Sequence, residues 1–249
     1  MANHNNRLIN KYPELVASEW DYEKNENDGI HVNTVTYGSG IKAWWKCDDC
    51  HGRYQMRVYD KTSGLGCPYC SSHRVLAGFN DFQSKYPELV ESEWDWIKNN
   101  QNGLKPNEIT YGSNINAWFI CSDCNGHYET TIKNKIRGKS CPFCAGKRVL
   151  KGFNDLASQY PDLINEWDYV NNDKKGLKPD AITSHSSVKA WWKCNDCNGS
   201  YEMSISTKTY GCGCPFCAGN KVLKGFNDLQ SCYPDSKGMV SAVEWEYNT

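Results

Sequence analysis

Residues 190–219 read AWWKCNDCNGSYEMSISTKTYGCGCPFCAG, which places five cysteines and two adjacent tryptophans in one short stretch. A CPxC pair taken alone fits a redox centre, where one low-pKa thiolate pair lies exposed on a turn, or half of a metal cage. The rest of the chain separates the two. CPxC occurs three times, at Cys67/Cys70, Cys141/Cys144 and Cys214/Cys217, and each is preceded by a second pair, Cys47/Cys50, Cys121/Cys124 and Cys194/Cys197. The inner cysteines are separated by 16 residues every time. C-x2-C-x16-C-x2-C is a zinc spacing: two sulfurs on one tight turn reach a single ion and a second turn completes the tetrahedron. Three structural Zn2+ ions per chain are expected, each held by four thiolates with no open position for a substrate.

The alternative is two disulfides per unit in a secreted protein. The opening MANHNNRLIN has no apolar core of a signal peptide and no later stretch has the length of a membrane span. The expected compartment is therefore the cytoplasm, with reduced thiols and no membrane partner. Cys212 and Cys232 fall outside the pattern, aligning with Leu65 and Lys139 and with Lys85 and Gln159, and no histidine recurs beside them. They read as free thiols.

The repeat extends beyond the cysteines. Trp20, Trp94 and Trp167 are 74 and 73 residues apart, as are Cys47, Cys121 and Cys194. Each unit runs in one order: NRLINKYPELVASEWD or its copy, a polar stretch, ITYGS or its relative, the tryptophan and cysteine segment, then RVLAGFN or KVLKGFN. A further copy starts at Asn227 and reaches Glu244 and Trp245. The reading is of small α+β zinc-stabilised repeats, zinc-ribbon or treble-clef-like, joined by short helices: unit 1 at 1–78, unit 2 at 79–152, unit 3 at 153–225 and a partial unit 4 at 226–249. Units of this size have marginal cores without a staple, which the metal supplies.

Within a unit, Asn80 or Asn154 is the expected helix N-cap, and Pro87 or Pro161 suits the first turn of a second helix ending near the Trp-Asp pair. AWWKC and the following YQMRVY or YEMSIS alternate as a hairpin carrying the first knuckle. Whether RVLAG continues as strand or helix separates a ribbon from a treble clef, and the pattern leaves it open.

YPELVASEWD with its copies, the downstream GS, W-x-C-x2-C and CPxC together resemble the probable zinc-ribbon tandem-repeat family of bacteria, their phages and some microbial eukaryotes. The resemblance covers nearly the whole chain. It implies zinc binding in tandem copies, sometimes attached to a nuclease-like domain, and so an accessory role in a nuclease, defence or mobile-element system.

Charge is divided along the chain. Net charge is -1 overall, yet segments 43–78, 117–152 and 190–225 together carry +9 and the remainder -10. Four thiolates around a zinc ion are formally -2, which lowers the three segments to +3. A basic hairpin with aromatic residues suits nucleic acid, the backbone held by cations and the bases stacked on rings. Neighbours on a strand face opposite sides, so one member of each pair Trp44/Trp45, Trp118/Phe119 and Trp191/Trp192 is core and the other is free to stack. We assign the platform to Trp45, Phe119 and Trp192, and phosphate contacts to Arg74, Lys133, Lys135, Arg137, Lys147, Arg148, Lys151, Lys221 and Lys224. The middle segment is the most basic, at +5 before the metal is counted, and is expected to contribute most. The alternative is a protein-interaction array, whose repeats present aromatic residues to a partner. No nucleotide fingerprint or recurring acid–base pair points to an enzyme or a small-molecule substrate.

Overall fold

The computed structural model describes residues 6–234. The chain gathers into two compact units, residues 1–139 and 140–249. In the first unit, α1 (Leu8–Lys11), α2 (Pro13–Glu19) and α3 (Tyr22–Asn27) precede the hairpin β1 (Lys42–Lys46) and β2 (Arg53–Arg57), followed by α4 (Val58–Thr62). The order then recurs as α5 (Phe82–Lys85), α6 (Pro87–Glu93), α7 (Trp96–Gln101), β3 (Asn116–Ile120), β4 (His127–Thr131) and α8 (Ile132–Ile136). The second unit holds α9 (Leu156–Gln159), a 3-10 turn over Pro161–Glu166, α10 (Tyr169–Lys174), the hairpin β5 (Lys189–Lys193) and β6 (Ser200–Ser204), α11 (Ile205–Thr209) and α12 (Leu229–Cys232). Among the described residues no helix is long and apolar enough to cross a membrane.

Short helices need caps and tertiary support, because a few turns of helix are not stable alone. The structure corrects the expected cap: Asp81 and Asp155, not Asn80 and Asn154, cap α5 and α9, accepting hydrogen bonds from Ser84 N at 2.8 Å and Ser158 N at 2.9 Å. Each aspartate also accepts from the backbone of a preceding glycine, Gly78 or Gly152, at 2.6 Å. The asparagine does a different job. Asn80 is buried, donates to Tyr69 O and Arg74 O at 2.6 and 2.9 Å and accepts from Leu76 N at 2.7 Å. Asn154 makes the same three bonds to Phe143, Arg148 and Leu150. It ties the chain after the CPxC knuckle to the next helix, and the intervening RVLAG segment is a series of turns, neither strand nor helix. Asn227 and Asp228 repeat latch and cap, but Leu229 is 63% exposed where Leu8, Phe82 and Leu156 are buried. Glu244 and Trp245 of the expected partial unit lie outside the described residues.

Proline opens α2, α6 and the 3-10 turn as expected, and each ends at a tryptophan. Trp20, Trp94 and Trp167 are buried and meet the hairpin edge-on: Trp20 on Trp45 at 5.3 Å and 89°, Trp94 on Phe119 at 5.7 Å and 86°, Trp167 on Trp192 at 5.4 Å and 90°. Edge-to-face pairs of this kind add about 0.5–1.5 kcal/mol to the area they bury. The return strands are shorter than their alternation suggests. They stop at Arg57, Thr131 and Ser204, and Val58, Ile132 and Ile205 turn inward to open a short helix, each fully buried.

A buried asparagine aligns α3, α7 and α10 with the hairpin. Asn25 donates to Trp44 O and accepts from Trp44 N, both at 2.8 Å. Asn99 makes the same pair with Trp118 and Asn172 with Trp191, at 2.8–2.9 Å. The carboxamide thus imitates a neighbouring strand and satisfies an edge that would otherwise need one. Replacing Asn99 with Ala leaves the part-buried Trp118 N–H without its acceptor and should destabilise the zinc-loaded protein by about 1–3 kcal/mol, measured by urea denaturation; exposed Asn100→Ala serves as control and should be near neutral.

Candidate metal centres

The first knuckle of each repeat turns between the hairpin strands. In repeat 1 the His51 N–H donates to Cys47 O at 2.9 Å and the Cys47 N–H to Gly52 O at 3.0 Å. The residue after the second cysteine takes a left-handed conformation, with φ 56° at His51, 55° at Asn125 and 57° at Asn198, where asparagine and histidine are enriched. The next residue must be glycine for space. A Cβ on Gly52 would lie 2.6 Å from the Tyr69 ring, and one on Gly199 2.7 Å from Phe216. Those rings come from the second knuckle, so the two turns are packed together through apolar contact as well as through sulfur.

Three groups result: Cys47, Cys50, Cys67 and Cys70; Cys121, Cys124, Cys141 and Cys144; Cys194, Cys197, Cys214 and Cys217, with the sulfurs of each group within 4.8 Å of one another. The Sγ–Sγ distances are 3.6 Å for Cys47–Cys70 and Cys50–Cys67, and 3.7 and 3.6 Å for Cys194–Cys217 and Cys197–Cys214. A disulfide would bring sulfurs to about 2.05 Å, whereas a tetrahedron with Zn–S bonds of about 2.3 Å has edges of about 3.8 Å. The donor set fits a zinc ion in each group. Cys212 and Cys232 are exposed and belong to none.

The thiols are not equivalent. Burial pushes Cys47 up, but backbone hydrogen bonds at Cys50 and Asp49 outweigh it and leave its pKa below the ordinary thiol value. Cys194 is lowered in the same way through Cys197 and Asp196. Cys50 is pushed up to about 11, chiefly by burial. Zinc must therefore displace protons from part of the set, and affinity falls as pH falls.

Beside the sulfurs lies a clamp absent from the sequence reading. Lys61 donates to Glu19 at 2.6 Å and to the Tyr54 hydroxyl at 3.1 Å. Lys208 bonds Glu166 at 2.8 Å and the Tyr201 hydroxyl at 3.0 Å. Lys135 does the same with Glu93 and the Tyr128 hydroxyl. Burial would push the ammonium groups of Lys135 and Lys208 down, but their hydrogen bonds to glutamate hold both above the ordinary lysine value. In repeat 3 a cleft of about 490 Å³ has Glu166 and Lys208 in its wall together with Cys194, Cys214 and Cys217. A signal for this clamp exists in the sequence: the Glu before each tryptophan, the Tyr of each hairpin and the Lys seven residues after it recur in all three units.

Two expectations are corrected here. Trp45, Phe119 and Trp192 are 0% exposed and offer no stacking surface. They point inward onto Trp20, Trp94 and Trp167, and the Trp45 and Trp192 indole N–H groups donate to Met56 O and Met203 O at 3.1 Å. The partly exposed members are Trp44, Trp118 and Trp191. Lys135, with its side chain 10% exposed, is committed to Glu93 and is no phosphate contact. The other basic candidates are at least partly exposed; Arg74 and Arg148 lie over the Tyr69 and Phe143 rings at 5.6 and 5.2 Å, and Lys151 bonds Asp180 at 2.8 Å.

Residues 16–73, 92–147 and 163–220 match the probable treble clef zinc finger domain family, DUF4379. The chain belongs to this family. Its three matched repeats each contain one complete four-cysteine group, and the family is described as treble clef, not ribbon. The search of curated proteins found no match.

Elemental analysis of natively prepared protein should give three zinc ions per chain. Cys212→Ser and Cys232→Ser should keep three, whereas Cys214→Ser should drop the count to two and lower the chelator resistance of the third treble clef repeat. Loss of zinc in the Cys212 variant would refute the ligand set.

Proposed function

We propose that the treble clef repeats form a non-catalytic binding module for nucleic acid, with zinc in a structural role. The observation that carries this reading is the outer face of each hairpin. There Trp44, Trp118 and Trp191 are partly exposed, on strand positions held by an asparagine at both backbone N–H and C=O. A lysine ammonium lies over each indole: Lys24 at 4.1 Å, Lys98 at 3.9 Å and Lys175 at 5.7 Å from the ring centroid. The ammonium covers part of one face of each ring, Lys175 being also paired with Glu202, so a base stacking on the exposed remainder of the indole would meet a positive charge beside it.

A protein partner is favoured by a different surface. Trp96 and Ile97 are 45% and 74% exposed, and Tyr169 and Val170 are 52% and 69%. Aromatic and aliphatic side chains beside one another are common at the centre of protein interfaces.

Titration of zinc-loaded protein with single-stranded and duplex DNA and RNA at two salt concentrations tests the reading. Binding should weaken with salt, by a slope of roughly 0.7–0.9 per phosphate contact, and should disappear after chelation. Absence of binding to every oligonucleotide at low salt would reject nucleic acid as the partner and direct attention to the Trp96 and Tyr169 surface.

A further inference from the structure

We propose that repeats 1 and 3 each bind single-stranded nucleic acid, with a base on Trp44 or Trp191 and phosphates on Lys42 and Lys46 or on Lys189 and Lys193. The middle repeat takes little part despite its larger charge. This rests on the nucleic-acid reading above and narrows it.

Strands β1 and β5 both read KAWWK. Their burial alternates, so Ala43, Trp45, Ala190 and Trp192 face the core while Lys42, Trp44, Lys46 and Lys189, Trp191, Lys193 share the outer faces. Each lysine is two residues from the tryptophan, about 6.8 Å along an extended strand, close to the phosphate step of an extended single strand. The same positions of β3 are Asn116, Trp118 and Ile120. A duplex keeps its base faces stacked inside, whereas a single strand offers them to an indole.

The opposite strand strengthens the case in repeat 1. Lys42 pairs across the hairpin with Arg57 and Lys46 with Arg53, on either side of Trp44 and Gln55. Like charges directly opposite on one sheet face destabilise a hairpin, so this face gains its charge against its own stability. Asp21 and Glu23 hold Arg53, and Asp60 holds Arg57; Lys42 and Lys46 make no ion pair among the described residues. A glutamate lies opposite the tryptophan in repeats 2 and 3 alike, Glu129 and Glu202, so the difference in repeat 2 is that no lysine or arginine occupies either strand. Its excess charge sits elsewhere: Lys135 is buried in its clamp, and Lys133 and Arg137 belong to or follow α8.

The test uses the full, zinc-loaded chain with labelled single-stranded DNA, single-stranded RNA and duplex DNA. Lys42→Ala with Lys46→Ala, and separately Lys189→Ala with Lys193→Ala, should each weaken single-strand binding about tenfold and flatten the salt slope by about 1.4, two contacts at roughly 0.7 each. Lys133→Ala, Arg137→Ala and Lys139→Ala together should change affinity less than about twofold, and Asn116→Lys with Ile120→Lys should tighten it about tenfold. Zinc content of three per chain confirms that each variant is folded. The proposal is overturned if the repeat 2 triple variant loses more affinity than either lysine pair, or if duplex is preferred over both single strands. Either result leaves nucleic-acid binding itself intact. A parent chain that binds no oligonucleotide would instead reject both readings.

Discussion

Four thiolates cannot gather within 4.8 Å of one another unless a cation neutralises them, and everything else in a repeat is arranged around that requirement. The two knuckles are separated by 16 residues of chain, which must leave the first turn, return along a strand, make one turn of helix and arrive at the second turn from the opposite side. Gly52 and Gly199 permit the closing contact because any side chain there would enter the ring of Tyr69 or Phe216. Ring-on-glycine packing and the four sulfurs therefore join the same two turns.

Each core is small, and its polar groups are satisfied rather than avoided. Asn25, Asn99 and Asn172 are fully buried and act as short substitute strands against hairpins that, among the described residues, form two-stranded sheets. The lysine, glutamate and tyrosine of the clamp bind three parts of the repeat: the helical segment before the tryptophan, the return strand and the short helix after it. A buried ion pair of this type contributes modest net stability, because desolvation opposes the attraction. Separating Lys61 from Glu19 would leave a charge buried and unpaired, which is costly. The same arrangement places a protonated lysine in the wall of the cleft beside the third thiolate group.

The hairpin joins this interior to the surface. Its inner face carries Trp45, Phe119 or Trp192 onto the preceding tryptophan, and its outer face carries Trp44, Trp118 or Trp191 beside a lysine. One strand of five residues therefore serves packing and presentation at once. The outer face can vary between repeats without disturbing the inner one, and it does: lysines flank the tryptophan in repeats 1 and 3, asparagine and isoleucine in repeat 2.

Cysteine spacing and the recurrence of whole phrases were enough to pick out three four-cysteine groups that fit zinc, the repeated pattern and the hairpin, because ligand reach and strand periodicity are local properties of the chain. Which neighbour of each aromatic pair faces the core was not legible, since alternation gives two equivalent registers and only the position of the preceding tryptophan selects one. The fate of Lys135 was hidden because a lysine in a basic run looks like its neighbours until Glu93, 42 residues earlier, is brought against it. Asn80 and Asp81 both suit a helix cap, and the choice fell to the knuckle carbonyls of Tyr69 and Arg74, which only the folded chain places within reach of the asparagine. Charge counted along a segment likewise could not separate clamp from surface. Tertiary structure decided that by drawing one lysine of each segment, Lys61, Lys135 and Lys208, into its clamp and placing Lys42 and Lys46 beside an indole on the outer face of a strand.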